Sequence, residues 1–229
     1  MSIYAISDLH LSFNANKPMD IFGVNWENHI IKLKANWIKQ AKENDIIVLG
    51  GDFSWSTYLK DTIKDFKFLN NLPGKKILLK GNHDYWWTTL TNMNNYLKEN
   101  KIEDIFFLYN NSYLFENYII AGTKGWNFNA ETDEKLLNRE LQRLETSIKS
   151  GIYQYGNKEI MLFVHYPPIN EKNIHTEFIK IMKKYNVKKC FYGHLHGINQ
   201  KEALEGNING IEFKLISSDY TDFKLIKII

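Results

Sequence analysis

Five of the seven histidines, His10, His83, His165, His194 and His196, stand directly after short apolar runs, in the company of Asp8, Asp52 and Asn82. They fall in compact groups: Asp8-Leu9-His10, Gly50-Gly51-Asp52, Gly81-Asn82-His83-Asp84, His165, and Gly193-His194-Leu195-His196. Carboxylate, amide oxygen and neutral imidazole are ligands that suit Mn, Fe or Zn without choosing among them. On an extended backbone the i, i+2 spacing turns Asp8 and His10 to one side and Leu9 to the other, so a carboxylate and an imidazole can meet one ion. His194 and His196 repeat the device around Leu195. By the same alternation Asn82 and His83 diverge, leaving one for a metal and the other for a substrate.

The elements that must position these groups can be read from the apolar pattern. Ile3 to Ser7, Asp45 to Leu49 and Ile77 to Leu79 read as strands. Helices over 26–44, with Ile30, Ile31, Leu33, Trp37, Ile38 and Ala41 on its apolar stripe, over 56–70 and over 89–100 alternate with them. A β-α-β-α-β-α order calls for a mostly parallel sheet, whose carboxyl-end mouths are where ligands bind. Ile105 to Tyr109, Ser112 to Phe115 and Tyr118 to Ala121 are short strands joined by Asn-rich turns. A helix from Thr132, as its cap, to Ser150 closes at Gly151. Ile160 to Val164 is a further strand, ending at His165 before Pro167-Pro168. A helix over 176–186, the run Cys190-Phe191-Tyr192 and two closing strands, 211–216 and 223–229, complete the chain.

At 229 residues with no Pro/Gly/Ser-rich linker, one domain spanning 1–229 is expected. The formal charge of +3 comes from Lys spread among Asp and Glu, with Arg139 and Arg143 the only arginines, so it does not point to nucleic acid. No apolar run reaches the ~20 residues of a membrane span, and Met1 to Asp8 leads straight into a strand pattern. The lone Cys190 reads as a buried structural thiol, and a cytoplasmic setting is expected.

The order Asp-x-His, Gly-Asp, Gly-Asn-His-Asp, His and Gly-His-x-His, running from residue 8 to 196, resembles the calcineurin-like metallophosphoesterases. The resemblance implies an α/β fold, a four-layer αββα sandwich of two mixed sheets flanked by helices. It implies that Asp8, His10, Asp52 and His196 hold a first divalent ion, and that Asp52, Asn82, His165 and His194 hold a second, with Asp52 bridging. His83 takes the role of protonating the leaving oxygen or steadying the phosphate. Two divalent ions against Asp8 and Asp52 leave about two positive charges over, which an anion such as phosphate satisfies. Ions about 3.5–4 Å apart can clamp a phosphoryl oxygen and bring the pKa of bound water toward roughly 7.

The expected activity is thus hydrolysis of a phosphomonoester or phosphodiester by attack of metal-bound hydroxide, with manganese first among the ions and Fe or Zn as alternatives. The expected substrate is a small phosphorylated molecule, and no membrane partner is expected. A nuclease on the same centre and a catalytically silent interaction module are the rival readings. Asp84 reads either as a carboxylate orienting His83 or as a turn former. Trp55, Trp86, Trp87 and Trp126 read either as packing beneath loops or as an aromatic wall for a planar leaving group. Lys124 is a loop residue within conceivable reach of a phosphate. His29 and His175 read as surface or capping residues, and Arg139 and Arg143 as a solvated helix face. His165-Tyr166-Pro167-Pro168 resembles small bacterial phosphohydrolases of this group more than Ser/Thr protein phosphatases.

Overall fold

The computed structural model describes residues 1–127, 133–172, 174 and 176–229. Its framework is a pair of sheets facing one another. The first contains β1 (Ile3–Ile6), β2 (Ile46–Leu49), β3 (Lys75–Leu79) and β4 (Ile105–Leu108), all parallel, with the short β11 (Ile226–Lys227) antiparallel at the edge beside β1. The second runs in the order β5 (Ser112–Phe115), β6 (Tyr118–Thr123), β7 (Glu159–Val164), β8 (Lys189–Tyr192), β10 (Ile211–Leu215), β9 (Gly206–Ile208). In that sheet β6, β7, β8 and β10 are parallel, and the two edge strands are antiparallel.

The period of two in a strand explains the layering. From β1 to β3 one set of side chains, Ile3, Ala5, Val48, Ile77 and Leu79, packs between the sheets against Met161, Phe163 and Phe191. The alternate set, Tyr4, Ile6, Ile47, Leu49 and Leu78, packs outward under α1 (His29–Gln40), α2 (Ile63–Asn70) and α3 (Leu90–Glu99). On the second sheet Leu162, Val164, Cys190 and Tyr192 pack outward under α4 (Glu134–Tyr155) and α5 (Glu177–Lys184). The result is the expected αββα sandwich of two mixed sheets.

Several boundaries differ from the sequence expectation. The helix expected over 26–44 is α1 alone, because Asn28 adopts a left-handed φ of 57° that stops it from extending back. Two 3₁₀ turns, Met19–Phe22 and Val24–Trp26, precede it. Its buried face is His29, Leu33 and Trp37, while Ile31 and Ile38 are exposed. His29 is thus neither a surface nor a capping residue; its ring packs against Trp26 and Phe223. The helix expected over 56–70 begins as a 3₁₀ turn, Leu59–Thr62, before α2. Instead of ending at Gly151, α4 runs through it: a Cβ there would come within 2.5 Å of Ile119 Cγ2, so the glycine lets the helix lie directly on the sheet. Its cap is Asp133, whose carboxylate accepts from Lys135 and Leu136 N–H; Thr132 lies outside the described residues, as does His175. Of the strand expected over 223–229 only β11 pairs. Among the described residues, no helix is long and apolar enough to cross a membrane.

Candidate metal centre

The chemistry-bearing groups follow the ends of β1, β2 and β3 in one sheet and of β7 and β8 in the other, which open on the same edge of the sandwich. The loops after β1 and β2 are stitched together by backbone bonds: Asp8 N–H donates to Gly51 O (2.9 Å) and His10 N–H to Asp52 O (3.0 Å). Beyond Ile6 the strand geometry is lost. Asp8 (φ 62°), His10 (φ 47°), Asp52 (φ 51°) and His194 (φ 72°) all lie in the left-handed region. Asp8 and His10 therefore converge through left-handed backbone, not through the alternation of an extended strand. Four non-glycine residues held this way in one cluster mark backbone strain of the kind that functional sites retain.

Asp84 is the tie beneath these loops. Fully buried, it accepts five N–H donors: Gly81 (2.8 Å) and Asp52 (2.9 Å) at Oδ2, and Phe53 (2.9 Å), Ser54 (3.2 Å) and Trp86 Nε1 (3.0 Å) at Oδ1. It locks the turn after β2 to the turn after β3, and no hydrogen bond runs from it to the His83 ring. Between the turns there is no spare room: a Cβ on Gly81 would sit 2.1 Å from Asp52 Oδ1.

The structure brings all seven expected ligands together. Around Asp8, His196 Nε2 lies 3.2 Å from Oδ1, His10 Nε2 lies 3.4 Å from His196 Nε2, and His10 Nε2 is 3.8 Å from Asp52 Oδ2. On the other side of Asp52, His165 Nε2 is 3.5 Å from Oδ2 and 2.6 Å from Asn82 Oδ1, and His194 Nδ1 is 2.9 Å from the same amide oxygen. Metal bonds of ~2.1 Å give ligand-to-ligand edges of about 3.0 Å in an octahedron and about 3.4 Å in a tetrahedron. The observed separations scatter about those lengths. Two triads, Asp8/His10/His196 and Asp8/Asp52/His165, have ligand atoms close enough to share an ion, and Asp8 belongs to both.

The polarity of the contacts suits a cation. His165 Nδ1 lies 3.1 Å from the Gly50 carbonyl, which can only accept, so Nδ1 carries the proton and Nε2 presents a lone pair toward Asn82 and Asp52. Burial is the main cause of the low pKa of His165, about 3, and it also lowers those of His10 and His194, so these rings are neutral and keep a lone pair to offer. Asp52 is pushed the other way, by burial and by the neighbouring carboxylates of Asp84 and Asp8. His196 differs. Burial opposes its protonation, but Asp8 and Asp219 flank it and push its pKa up to about 10. A proton between His196 and Asp8 occupies the place that a cation would take.

Three polar residues after β10 belong to this site and were not foreseen. Asp219 accepts from His196 Nδ1 (2.7 Å) and from Gly197 N–H (3.1 Å); Ser217 Oγ donates to Asp8 Oδ2 (3.1 Å), and Ser218 Oγ donates to the Asp8 carbonyl (2.6 Å). The signal was present: Ser217-Ser218-Asp219 follows the alternating strand pattern of 211–216 much as Asp8 follows the strand pattern of Ile3 to Ile6.

His83 diverges from Asn82 as expected. Its N–H donates to Asp52 Oδ1 (2.7 Å), while its ring lies 4.5 Å from Trp55 and 5.8 Å from His10, with Nδ1 lacking a hydrogen-bond partner. Trp55 stacks on His10 (4.8 Å, 20° between planes) and carries the Lys17 ammonium 4.0 Å above its ring. Burial, then Lys17, lower the His83 pKa. The four tryptophans thus divide. Trp86 and Trp87 are core residues under the loops, whereas Trp55 and Trp126 reach the site and its flank. Lys124 lies 5.9 Å from the Tyr166 ring, and its carbonyl accepts from His165 and Tyr166 N–H. Arg139 is exposed, but Arg143 is half-buried and pairs at 2.6 Å with the buried Glu140.

Comparison with known proteins bears on the fold and the family. The fold is shared with a protein of unknown function from Aquifex aeolicus (TM-score 0.52, 18% identity, 99% of this chain and 95% of that one). It is shared also with a phosphopantetheinyl hydrolase from Mycobacterium tuberculosis (0.57, 12%, 100% and 95%) and with a Thermus thermophilus protein (0.57, 13%, 98% and 96%). No curated protein matches the sequence. The family profile described as calcineurin-like phosphoesterase matches residues 1–197, a range that contains all seven clustered residues. The chain belongs to the calcineurin-like phosphoesterases, a family of metal-dependent phosphoester hydrolases.

Proposed function

We propose that residues 1–229 form one catalytic domain that hydrolyses a small phosphomonoester or phosphodiester at a pair of divalent ions. The observation that carries this reading is the lone pair of His165 Nε2 facing two further acceptors, Asn82 Oδ1 at 2.6 Å and Asp52 Oδ2 at 3.5 Å, an arrangement that a cation reconciles. Asp8, His10, Asp52 and His196 would hold one ion, and Asp52, Asn82, His165 and His194 the other, with Asp52 between them. When bound, such ions, manganese first and Fe or Zn as alternatives, would activate water and neutralise charge on the phosphoryl group.

The chain's own residues supply the rest. Ser217, Ser218 and the His194 N–H fix Asp8 by hydrogen bonds. Asp219 holds a proton on His196 Nδ1 and so aims Nε2 inward. His83, half-buried with its ring 5.8 Å from that of His10, would give a proton to the leaving oxygen; an anionic substrate beside it opposes the effect of burial and Lys17 and favours protonation. Among the described residues, no lysine or arginine lines the two cavities beside the ligands, which favours a small substrate over strand phosphates. The buried thiol of Cys190 supports a reducing, cytoplasmic setting. The test is a panel of phosphomonoesters, phosphodiesters and DNA with Mn²⁺, using Asp52→Asn as control. Metal-dependent turnover of small esters that the variant lacks is expected; equal turnover by both proteins would contradict the reading.

A further inference from the structure

The segment joining β1 to α1 presents apolar side chains to solvent beside the metal ligands. Ile21 is 69% exposed, Phe22 55% and Val24 75%, and Ile198, next to the turn that carries His196, is 77% exposed. Contiguous exposed apolar surface at the rim of a site marks a binding surface. Here it borders a cleft of about 200 Å³ with His10 and His196 on one side and Met19, Phe22 and Trp26 on the other. The Trp26 ring centroid is 5.8 Å from that of His10 and 5.6 Å from that of His196, so the apolar wall runs directly into the two imidazoles. Trp26 is itself braced edge-on against Phe223 at 5.3 Å, which makes the wall rigid.

A different cavity, about 320 Å³, opens on the far side of the ligands, where His194, Trp126, Tyr166, Asn199 and Glu202 line it. The two flanks are therefore chemically unlike. Among the described residues, no charged side chain other than the imidazoles lines the apolar cleft. A molecule lying in it meets ion-binding imidazoles at one end and Phe22 at the mouth. Its chemistry must match: an anionic head and an apolar body.

We propose that the apolar cleft receives the substituent of the phosphoester, and that this substituent is an alkyl or aryl group seated among Met19, Phe22 and Trp26. The proposal rests on the phosphoesterase reading for the anchoring of the anionic head at the ions. It makes Phe22 a specificity-determining residue. Each methylene moved from water onto this wall contributes about threefold to fourfold in affinity until the cleft is full.

The test is calorimetric titration of the Mn²⁺-loaded protein with methyl-, butyl- and hexylphosphonate, which cannot be hydrolysed at the C–P bond. Affinity is expected to climb with chain length from methyl to butyl, to climb less steeply in Phe22→Ser, and to keep its slope in Val24→Ser, which lies on the same segment outside the cleft. Equal affinity for all three phosphonates would overturn the proposal. A flat series together with Phe22-dependent sedimentation on phosphatidylglycerol vesicles would also overturn it and make the patch a membrane contact. Hydrolysis of the matching alkyl phosphates, followed in parallel, separates the two readings. A binding slope without turnover supports the cleft and defeats the phosphoesterase reading, whereas turnover with flat affinity defeats only the cleft.

Discussion

Asp219 Oδ1 lies 2.7 Å from His196 Nδ1, joining the loop after β10 to the last histidine of the ligand cluster. Asp219 lies beyond residue 197, where the family match ends. The bond fixes the tautomer of His196 and with it the direction of Nε2, and loss of such an outer partner costs about 10- to 100-fold in metal affinity. Asp219→Asn should therefore bind Mn²⁺ that much more weakly in equilibrium dialysis while keeping wild-type circular dichroism. Unchanged affinity would remove Asp219 from the site.

Asp84 should behave as a structural tie. In Asp84→Asn the new amide N–H groups face backbone N–H donors that the carboxylate now accepts, which leaves buried donors unpaired. Breaking a buried charged network of this kind costs on the order of 3–5 kcal/mol. Urea unfolding should show a loss of that size with metal removed. A variant that kept wild-type stability but lost turnover would instead make Asp84 a partner of His83 in the chemistry.

His83→Ala should leave two bound ions per chain and lower kcat about 10²- to 10⁴-fold. Because its role is to protonate a leaving oxygen, the loss should be largest for alkyl esters and smallest for 4-nitrophenyl esters, whose leaving group needs no proton. Steady-state kinetics on both ester types gives the answer. Equal losses for both would assign His83 to phosphate binding.

Lys76 gives a pH signature away from the site. It is buried in β3 with its ammonium donating to the Leu72 carbonyl, and burial is the main cause that lowers its pKa to about 8. The unfolded chain keeps the lysine proton up to pH ~10.4, so between about pH 8 and that value the unfolded state binds more protons and stability rises with pH. The gain should be on the order of 1–3 kcal/mol by linkage. Denaturant unfolding of the metal-free protein at pH 7.5 and 9.5 should show the rise, and Lys76→Met should show less of it. An equal rise in both would place its source elsewhere.

The sandwich and the clustering of the polar residues were legible in the sequence for different reasons. Strands such as Ile46–Leu49 are buried on both faces, so they appear as unbroken apolar runs, and the polar residue that ends each run marks the mouth of the sheet. The left-handed backbone at Asp8, His10, Asp52 and His194 leaves no trace in residue type, and for that reason alternation gave the right convergence of Asp8 and His10 by the wrong geometry. Gly151 resembles a helix stop but serves as a flat contact with Ile119. His29 went unrecognised because its role depends on Phe223, a partner remote in sequence that no local pattern encodes, whereas Asp219 carried a strand-end signal but its partner, His196, is set by the fold.

Anomalous scattering from crystals grown with Mn²⁺ tests the central claim most directly. Two peaks are predicted, one among Asp8, His10 and His196 and one among Asn82, His165 and His194, with Asp52 reaching both. A single peak, or manganese bound away from these seven side chains, would contradict it.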